Sequence, residues 1–324
     1  MTKMHMVKAL NNALQQEMEA DASIMVLGED VGVNGGVFRV TEGLQEAFGK
    51  DRVVDTPLAE SAIVGAAIGL AINGMRPVAE MQFSGFSYQA FAQIKQHAAR
   101  IRQRSEGTFS APLVIRAPSS GGIRALEHHS ESPEAFFTHC QGLKVVMPSG
   151  PYDAKGLLIA SIRDPDPVIF LEPKKIYRAF KEEVPEEPYT VPLGKAKVVS
   201  QGEQLTIISW GSMLKLCQKA LLQLDQESGI ELIDLRTIWP FDIDTIITSV
   251  KKTGRALIVH EAPRTAGMGA EIAARIQEQC LLHLEAPVIR VTGFDVPFPQ
   301  FALEEHYLPN VTRILDGIQK VLEF

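Results

Sequence analysis

Apolar residues follow two spacings along this chain, one typical of helices and the other typical of buried strands. Over residues 6–18 they recur at intervals of three and four, which predicts a helix with one buried face. Short runs that are apolar throughout predict buried strands. In the first half we therefore predict helices at 6–18, 61–72, 87–104 and 152–162, and strands at 24–27, 77–83, 113–116, 144–147 and 168–171.

Two serines lie where helix caps are expected. Ser132-Pro133-Glu134 has the order of an N-cap followed by a proline in the first turn, and Ser149 precedes the helix predicted at 152–162. We expect each hydroxyl to bind the first backbone amides of the helix that follows it.

The alternation of strands and helices resumes after a stretch rich in proline and glutamate. Residues 182–192 hold three prolines and four glutamates with little periodic pattern, which is typical of an interdomain segment. Apolar strands that alternate with helices indicate parallel sheets covered on both faces. We therefore predict an α/β fold of two domains with mainly parallel sheets, at 1–183 and 193–324, and a linker at 184–192. In the second half we predict strands at 205–209, 231–235, 256–259 and 288–291, and helices at 213–224, 243–250, 270–279 and 311–322.

Composition and charge narrow the class of protein. With 324 residues, 45% apolar and 22% charged, the chain has enough apolar material for large cores. A net charge of −7 argues against a general nucleic-acid binder, and the run at 63–72 is shorter than the roughly 20 residues that cross a bilayer. No basic cluster leads into an apolar segment at the start, and the three cysteines lie far apart. We expect a cytoplasmic enzyme or enzyme subunit that binds neither nucleic acid nor membrane.

Standard catalytic signatures do not occur in the sequence. It has no Gly-x-Ser-x-Gly, no Gly-x-x-x-x-Gly-Lys-Ser/Thr and no His-Glu-x-x-His. Gly267-Met268-Gly269-Ala270 follows a predicted strand and opens a predicted helix, where backbone amides could meet a phosphate. Short Gly-x-Gly runs also occur at tight strand-to-helix turns, so both interpretations stay open.

Acidic residues lie at two informative places. Glu29 and Asp30 follow a strand, where open α/β sheets bind ligands, although a solvated acidic turn fits equally well. Glu60 directly precedes the helix predicted at 61–72, which is small and apolar on all sides. Apolar neighbours favour the protonated form of a carboxyl group, whereas a helix amino terminus favours the ionised form. The sequence alone leaves this balance open.

Paired histidines occur in a polar loop. His128 and His129 are flanked by Glu127 and Glu131, and loop histidines beside acids can act as acid or base near neutral pH. A metal site is the weaker hypothesis, because no third histidine or cysteine lies at ligand spacing. His139, within an apolar stretch, is interpreted as structural.

Several motifs occur here in the order in which they recur in one known family. They are Leu-Gly-Glu-Asp-Val-Gly (27–32), Gly-Gly-Val-Phe-Arg (35–39), Asp-Thr-Pro-Leu-Ala-Glu (55–60), Arg-Pro-Val-Ala-Glu-Met-Gln-Phe (76–83), Pro-Tyr-Asp-Ala-Lys-Gly-Leu-Leu (151–158), Asp-Leu-Arg-Thr (234–237), Lys-Thr-Gly-Arg (252–255) and His-Glu-Ala-Pro (260–263). The chain resembles the beta subunits of the thiamin-diphosphate-dependent 2-oxo acid dehydrogenases, most closely the bacterial pyruvate-specific members. The resemblance covers essentially the whole chain.

This resemblance implies a fold and a set of site residues. It implies a transketolase-like pyrimidine-binding domain followed by a transketolase carboxyl-terminal domain. Glu60 matches the glutamate that hydrogen-bonds the aminopyrimidine ring of the cofactor, and His129 matches the histidine that assists reductive acylation of the lipoyl group. The remaining matches are Leu58, Gln82 and Phe86, which line the pyrimidine pocket, Glu29 in the cofactor neighbourhood, and Asp164 and Asp166 in a loop that in some members holds potassium through mainly backbone oxygens.

The resemblance also implies partners, because this chain lacks the Gly-Asp-Gly segment that holds Mg²⁺ and diphosphate in thiamin enzymes. An alpha subunit is expected to supply those ligands in an α2β2 heterotetramer. The family docks a dihydrolipoyl acyltransferase core through the carboxyl-terminal domain, and the terminal carboxylate at Phe324 could contribute. Pyruvate is the favoured substrate.

Four alternatives stay open. Two lie within the family: a branched-chain 2-oxo acid dehydrogenase beta subunit and an acetoin dehydrogenase beta subunit. The other two are a non-catalytic subunit that only organises a complex, and a dinucleotide-binding dehydrogenase. A non-catalytic subunit would not require Glu60 or His129, and the absence of a third glycine at 267–270 argues against dinucleotide binding.

Overall fold

Strands and helices alternate through the computed structural model, which describes residues 1–224 and 229–324. The strands are β1 (Thr2–Met4), β2 (Ile24–Gly28), β3 (Val53–Asp55), β4 (Arg76–Glu80), β5 (Val114–Ser119), β6 (Lys144–Val146), β7 (Val168–Pro173), β8 (Glu182–Val184), β9 (Lys197–Ser200), β10 (Leu205–Ser209), β11 (Ile230–Asp234), β12 (Thr237–Trp239), β13 (Ala256–Pro263) and β14 (Ile289–Gly293). The helices are α1 (Met6–Ala20), α2 (Leu44–Phe48), α3 (Glu60–Ile72), α4 (Ile101–Arg104), α5 (Glu134–Thr138), α6 (Pro151–Arg163), α7 (Ser212–Leu221), α8 (Ile243–Thr253), α9 (Met268–Cys280), α10 (Glu304–Tyr307) and α11 (Val311–Leu322).

Two mainly parallel sheets organise these elements. The larger has the order β12-β6-β7-β5-β4-β2-β3, and all its neighbours are parallel except β12 and β6. The smaller has the order β14-β13-β10-β11-β9, with β9 antiparallel to β11. Helices α1 and α6 pack together in one apolar cluster with the first sheet, and α3 lies in another. The α/β prediction with mainly parallel sheets is confirmed.

The predicted core elements are present, with corrections at their ends. The strand predicted at 77–83 ends at Glu80, the one predicted at 113–116 runs from Val114 to Ser119, and β13 extends four residues beyond its predicted end. The missed strands β1, β3, β8, β9 and β12 have only three or four residues, too few for a periodic signal. None of the helices in residues 1–224 and 229–324 has the length and apolar character to cross a membrane.

The helix predicted at 87–104 is irregular. It is replaced by 3₁₀ turns at Ser84–Ala90 and Ala98–Arg100, a π turn at Gln93–His97 and the short α4. Other parts of the backbone press against both ends of this segment. A Cβ added to Gly85 would lie 2.1 Å from the His128 carbonyl oxygen, and one added to Gly142 would lie 2.0 Å from the Ala99 carbonyl oxygen. Such close approach is a tertiary constraint that the local pattern does not contain.

Both predicted serine caps are wrong. Helix α5 begins at Glu134 and α6 follows Gly150, and neither helix has a side-chain cap. The Ser149 hydroxyl instead donates to Asp234 at 2.9 Å. The Ser132 hydroxyl donates to Glu261 at 3.4 Å. These serines hold acidic side chains of the second half of the chain, and long-range bonds of this kind override the local capping preference.

The two halves of the chain are joined by sheet pairing and by a shared core. Strand β12, from the second half, adds antiparallel to β6 at the edge of the first sheet. One apolar cluster contains Ile115 from β5 and Ile258 from β13. Strand β8 pairs with β1, and residues 185–192 form no helix or strand. The domain boundaries at 183 and 193 stay a prediction. Strand β12 lies beyond the second boundary in sequence but belongs to the first sheet, so the sheets alone do not define them.

A buried ionic network lies within the first sheet. Arg116 on β5 is fully buried and donates through Nε to Glu172 at 2.7 Å and through Nη2 to the same carboxylate at 2.6 Å. Its Nη1 donates to Glu80, and Tyr177 donates to Glu172. Burial raises the pKa of Glu80 to about 7, although the Arg116 charge opposes that rise. One guanidinium therefore compensates two buried carboxylates.

We predict that Arg116→Met lowers the free energy of unfolding by about 3–5 kcal/mol, because it leaves two buried carboxylates without a cation. Urea unfolding followed by circular dichroism measures this change. Arg102→Met is the matched control, since Arg102 pairs with Asp166 at the surface and its loss should cost less than about 1 kcal/mol. Equal losses for the two variants would contradict the assigned role of the network.

Candidate active site

Glu60 is a buried carboxylate at the start of helix α3. Glu60 is 3% exposed, and its Oε2 atom has no hydrogen-bond partner within the part of the chain that the structure describes. Ile63, Val64 and Ala67 of the same helix are also buried, which agrees with the all-apolar pattern of the sequence. A carboxylate oxygen without a donor is costly in such surroundings. Glu60 is therefore suited to a ligand that shares a hydrogen bond with its Oε2 atom.

Glu29 lies beside Glu60, directly after β2. It is buried, and its Oε1 atom also finds no donor among the described residues. Burial raises the pKa of Glu29 above its ordinary value, and the charges of Glu60 and Asp30 raise it further. The sheet thus brings together two buried carboxyl groups that each leave one oxygen unbound.

Next to Glu29 and Glu60, Gln82 makes a hydrogen bond and Leu58 exposes an apolar side chain. The Gln82 amide donates to Asp30 at 3.0 Å, which ties the end of β4 to the loop after β2. Asp30 adopts a left-handed backbone with φ of 60°. Leu58, two residues before Glu60, is 76% exposed and therefore presents an apolar surface beside the buried carboxylates.

His129 lies in a cluster of rings next to this region. Its ring centroid is 4.3 Å from that of Phe83, 5.2 Å from that of Phe86 and 4.3 Å from that of His128, and Phe83 directly follows Gln82. The Nδ1 atom of His129 is buried and has no partner among residues 1–224 and 229–324. Burial, helped by the nearby charges of His128 and Lys174, lowers the pKa of His129. This shift favours the neutral ring, the form that can accept a proton.

Asp164 and Asp166 lie apart from the other predicted residues, before the amino end of β7. The Asp164 carboxylate accepts from Lys144 at 2.6 and 2.7 Å, and Asp166 accepts from Arg102 at 2.6 Å. Arg76 donates to the Asp164 carbonyl oxygen at 3.3 Å. A potassium ion would have to share oxygens that three cationic side chains already use, so the potassium site stays a prediction. No group of three or more His, Cys, Asp or Glu side chains in the described ranges is arranged to hold a metal ion.

The Gly267-Met268-Gly269 turn packs against His260. A Cβ added to Gly269 would lie 2.6 Å from His260 Nε2, and one added to Gly267 would lie 2.9 Å from His260 Cε1. His260 is fully buried and stacks on Trp210 at 5.2 Å. Close packing of α9 on this ring explains both glycines, which favours the tight-turn interpretation over a phosphate site.

Sequence reasoning missed several buried charges near the site. Arg116, Lys174, Glu261 and Glu304 are each at most 5% exposed. A weak signal existed, since Lys174 and Glu261 each follow an apolar strand pattern, as Glu29 does. Their partners are distant in sequence and could not be recognised from local pattern.

Comparison with known proteins identifies the domains. The model of the transketolase pyrimidine-binding domain matches residues 2–179, and that of the transketolase C-terminal domain matches residues 194–314. The chain is 53% identical to the pyruvate dehydrogenase E1 component subunit beta of Acholeplasma laidlawii, with 98% of this chain and 97% of that protein covered. It is 52% identical to proteins of the same name from Staphylococcus epidermidis and Staphylococcus aureus over the full length of both chains.

A solved structure shares the fold at low sequence identity. It is described as a split gene transketolase, inactive beta4 tetramer, with a TM-score of 0.79 and 21% identity over 99% of each chain. At this identity the likeness concerns the fold alone. It agrees with the transketolase-like architecture implied by the sequence motifs.

We predict that Glu29→Gln raises the melting temperature at pH 8, and that this gain shrinks as the pH falls towards 5. The pKa of Glu29 is raised in the folded protein, so ionisation destabilises the fold at high pH, and protonation removes that cost at low pH. Differential scanning calorimetry at both pH values measures the effect. Glu19→Gln, at an exposed position of α1, is the control. If the Glu29→Gln variant instead melted at a lower temperature than the unmodified protein at pH 8, the ionised Glu29 would be stabilised by a partner, and the prediction would be wrong.

Proposed function

This chain belongs to the family of pyruvate dehydrogenase E1 component beta subunits, and on that premise we propose that it provides one half of an active site for the oxidative decarboxylation of pyruvate. The acetyl group then passes to a lipoyl group of the acyltransferase. The observation that carries the proposal is the buried, unbound carboxylate oxygen of Glu60. A subunit that only organised a complex would have no use for this costly group.

Thiamin diphosphate is the cofactor that these residues fit. When bound, it supplies a thiazolium ring that accepts the electron pair released as pyruvate loses CO₂. Glu60 would hold a proton at Oε2 and share it with a ring nitrogen of the aminopyrimidine. Leu58, Gln82 and Phe86 would line the pyrimidine pocket, and Glu29 would lie beside Glu60 in the neighbourhood of the cofactor.

His129 is proposed to act in the second half of the reaction. Its ring is neutral and held edge-on between Phe83 and Phe86, with Nδ1 free of protein donors and acceptors in the described chain. An imidazole held in place can take up a proton and then deliver it to the sulfur that leaves when the lipoyl disulfide opens. His128, which is half exposed and faces Glu127 at 3.4 Å, is given no role.

An alpha subunit is proposed to complete the site in an α2β2 heterotetramer. The Mg²⁺ that binds the diphosphate needs oxygen ligands, and this sequence has no Gly-Asp-Gly segment to provide them. Large apolar residues are exposed in the loops beside the site. They are Val33, Val37, Leu58, Ile123 and Leu126. Exposed apolar residues in the site's own loops favour burial by a partner chain over exposure to water.

The carboxyl-terminal half is proposed to dock the acyltransferase core. Phe324 is 78% exposed, so this end of helix α11 is open to a partner. We also propose that the protein works in the cytoplasm. Branched-chain 2-oxo acids and acetoin remain second candidates for the substrate.

We predict that Glu60→Gln abolishes turnover, with at least a 100-fold loss, while the tetramer still assembles. Glutamine keeps the shape of the side chain but cannot share a carboxyl proton, and loss of acid–base catalysis typically costs about 10²–10⁴-fold. Activity is measured with the reconstituted complex, and assembly by size-exclusion chromatography. Glu17→Gln is the control, because Glu17 is buried and paired with Arg163 outside the site. Near-normal turnover of the Glu60 variant would remove this residue from the mechanism.

We predict that the purified chain alone binds thiamin diphosphate weakly and does not decarboxylate pyruvate, and that adding the alpha subunit restores both properties. Isothermal titration calorimetry and a decarboxylation assay measure them. Full activity of the isolated chain would exclude the shared site. Running the reconstituted pair with pyruvate and with 3-methyl-2-oxobutanoate decides the substrate, and we expect the higher kcat/KM for pyruvate.

A further inference from the structure

The loop at 120–122, which follows β5, is held by three buried charged side chains. The Lys174 ammonium donates to the first carbonyl oxygen of the loop. The two glycine amides that follow donate to the carboxylates of Glu261 and Glu304. Lys174 lies just after β7, whereas Glu261 on β13 and Glu304 on α10 belong to the second half of the chain. Each loop residue thus has its own charged partner.

The loop has a conformation that needs such support. Ser120 has a φ of 70°, in the left-handed region that residues other than glycine adopt at a cost. Gly121 has no space for a side chain, because an added Cβ would lie 2.5 Å from the Phe298 ring. Gly122 has a φ of 94°, and its Cβ would meet Lys175 at 2.5 Å. Backbone of this kind persists only when the surroundings determine it.

The loop is connected to His129 by two routes. The Ser120 amide donates to the Glu131 carbonyl oxygen at 2.8 Å, two residues beyond the histidine. On the other side, Lys174 Nζ lies 5.8 Å from the centre of the Phe83 ring, and that ring packs against His129. A shift of the loop would therefore be transmitted to the imidazole through both the backbone and the aromatic packing.

The charges of this cluster depend on one another. Burial lowers the pKa of Lys174, and the charges of Glu261 and Glu304 oppose that shift. Burial raises the pKa of Glu261, and its bond from Gly121 and the Lys174 charge oppose the rise. A second oxygen of Glu261 accepts from the Ser212 hydroxyl at 3.3 Å. Removing one charge would leave its partners buried without compensation.

We propose that Glu261, Glu304 and Lys174 are positioning residues for His129, through which the second half of the chain sets the geometry of acyl transfer to the lipoyl group. The proposal rests on the proposed function, because it expects these residues to affect acyl transfer, the step in which His129 is proposed to act. Decarboxylation itself depends on Glu60 and should be much less sensitive to these three residues. This difference separates positioning from a general contribution to stability.

The test uses Glu261→Gln in the tetramer reconstituted with the alpha subunit. Decarboxylation is measured with ferricyanide as electron acceptor, and acyl transfer by acetylation of an isolated lipoyl domain. We expect acyl transfer to fall about tenfold relative to decarboxylation, the effect of losing a charge-assisted hydrogen bond. Hydrogen exchange of peptides spanning 119–131, followed by mass spectrometry, should become faster by a similar factor. Glu304→Gln makes the same test at the next amide and does not depend on the folding of the first variant.

Glu231→Gln is the matched control, because Glu231 is a buried carboxylate in the same sheet that bonds Lys252 and the Gly202 amide. We expect it to change neither the ratio of the two rates nor the exchange at 119–131. Equal losses in both half-reactions, or an unchanged ratio with unchanged exchange, would overturn the proposal. Failure of the unmodified tetramer in both half-reactions would instead overturn the proposed function, and the exchange measurement would still test the loop.

Discussion

A carboxylate removed from water must find a cation or a hydrogen-bond donor, and the arrangement of this chain follows from how that requirement is met. In the first sheet, Arg116 compensates Glu80 and Glu172. Between the halves, Lys174 and backbone amides compensate Glu261 and Glu304. Beside helix α3, Glu29 and Glu60 each keep an oxygen that the described chain does not bind, and so do Glu134 and Glu304 elsewhere. The ligand is assigned to the first pair because these two carboxyl groups lie together where β2 ends and α3 begins, at the carboxyl ends of parallel strands.

The parallel sheets explain why these groups occur together. Strands β2, β4 and β5 run in the same direction, so their carboxyl ends deliver Glu29, Gln82 and the 120–122 loop to one edge of the first sheet. Strand β13 ends at the same boundary from the second sheet and brings Glu261 to that loop. The two halves therefore meet at the site, and the second half is part of its construction.

Much of this fold could be predicted from local pattern, and the exceptions share one physical cause. The strand at 205–209 and the helix at 311–322 match the prediction residue for residue. The strand is buried on both faces and is therefore apolar almost throughout, and the buried residues of the helix face one core. The helix predicted at 87–104 and the caps predicted at Ser132 and Ser149 were wrong, and strand β12 was missed. Backbone crowding and bonds between distant residues determine these features.

In the candidate site, too, some residues could be predicted from local sequence and others could not. Glu60 and His129 could be selected from their neighbours in sequence and from the family motifs, whereas the partners of Lys174 and Glu261 depend on the assembled fold. A crystal structure of the reconstituted heterotetramer with thiamin diphosphate tests most directly whether Glu60 is reserved for the cofactor. We expect the Glu60 carboxyl group at hydrogen-bond distance, about 2.6–3.2 Å, from a nitrogen of the aminopyrimidine ring. A structure in which Glu60 instead bonds a protein donor and leaves that nitrogen free would contradict the central claim.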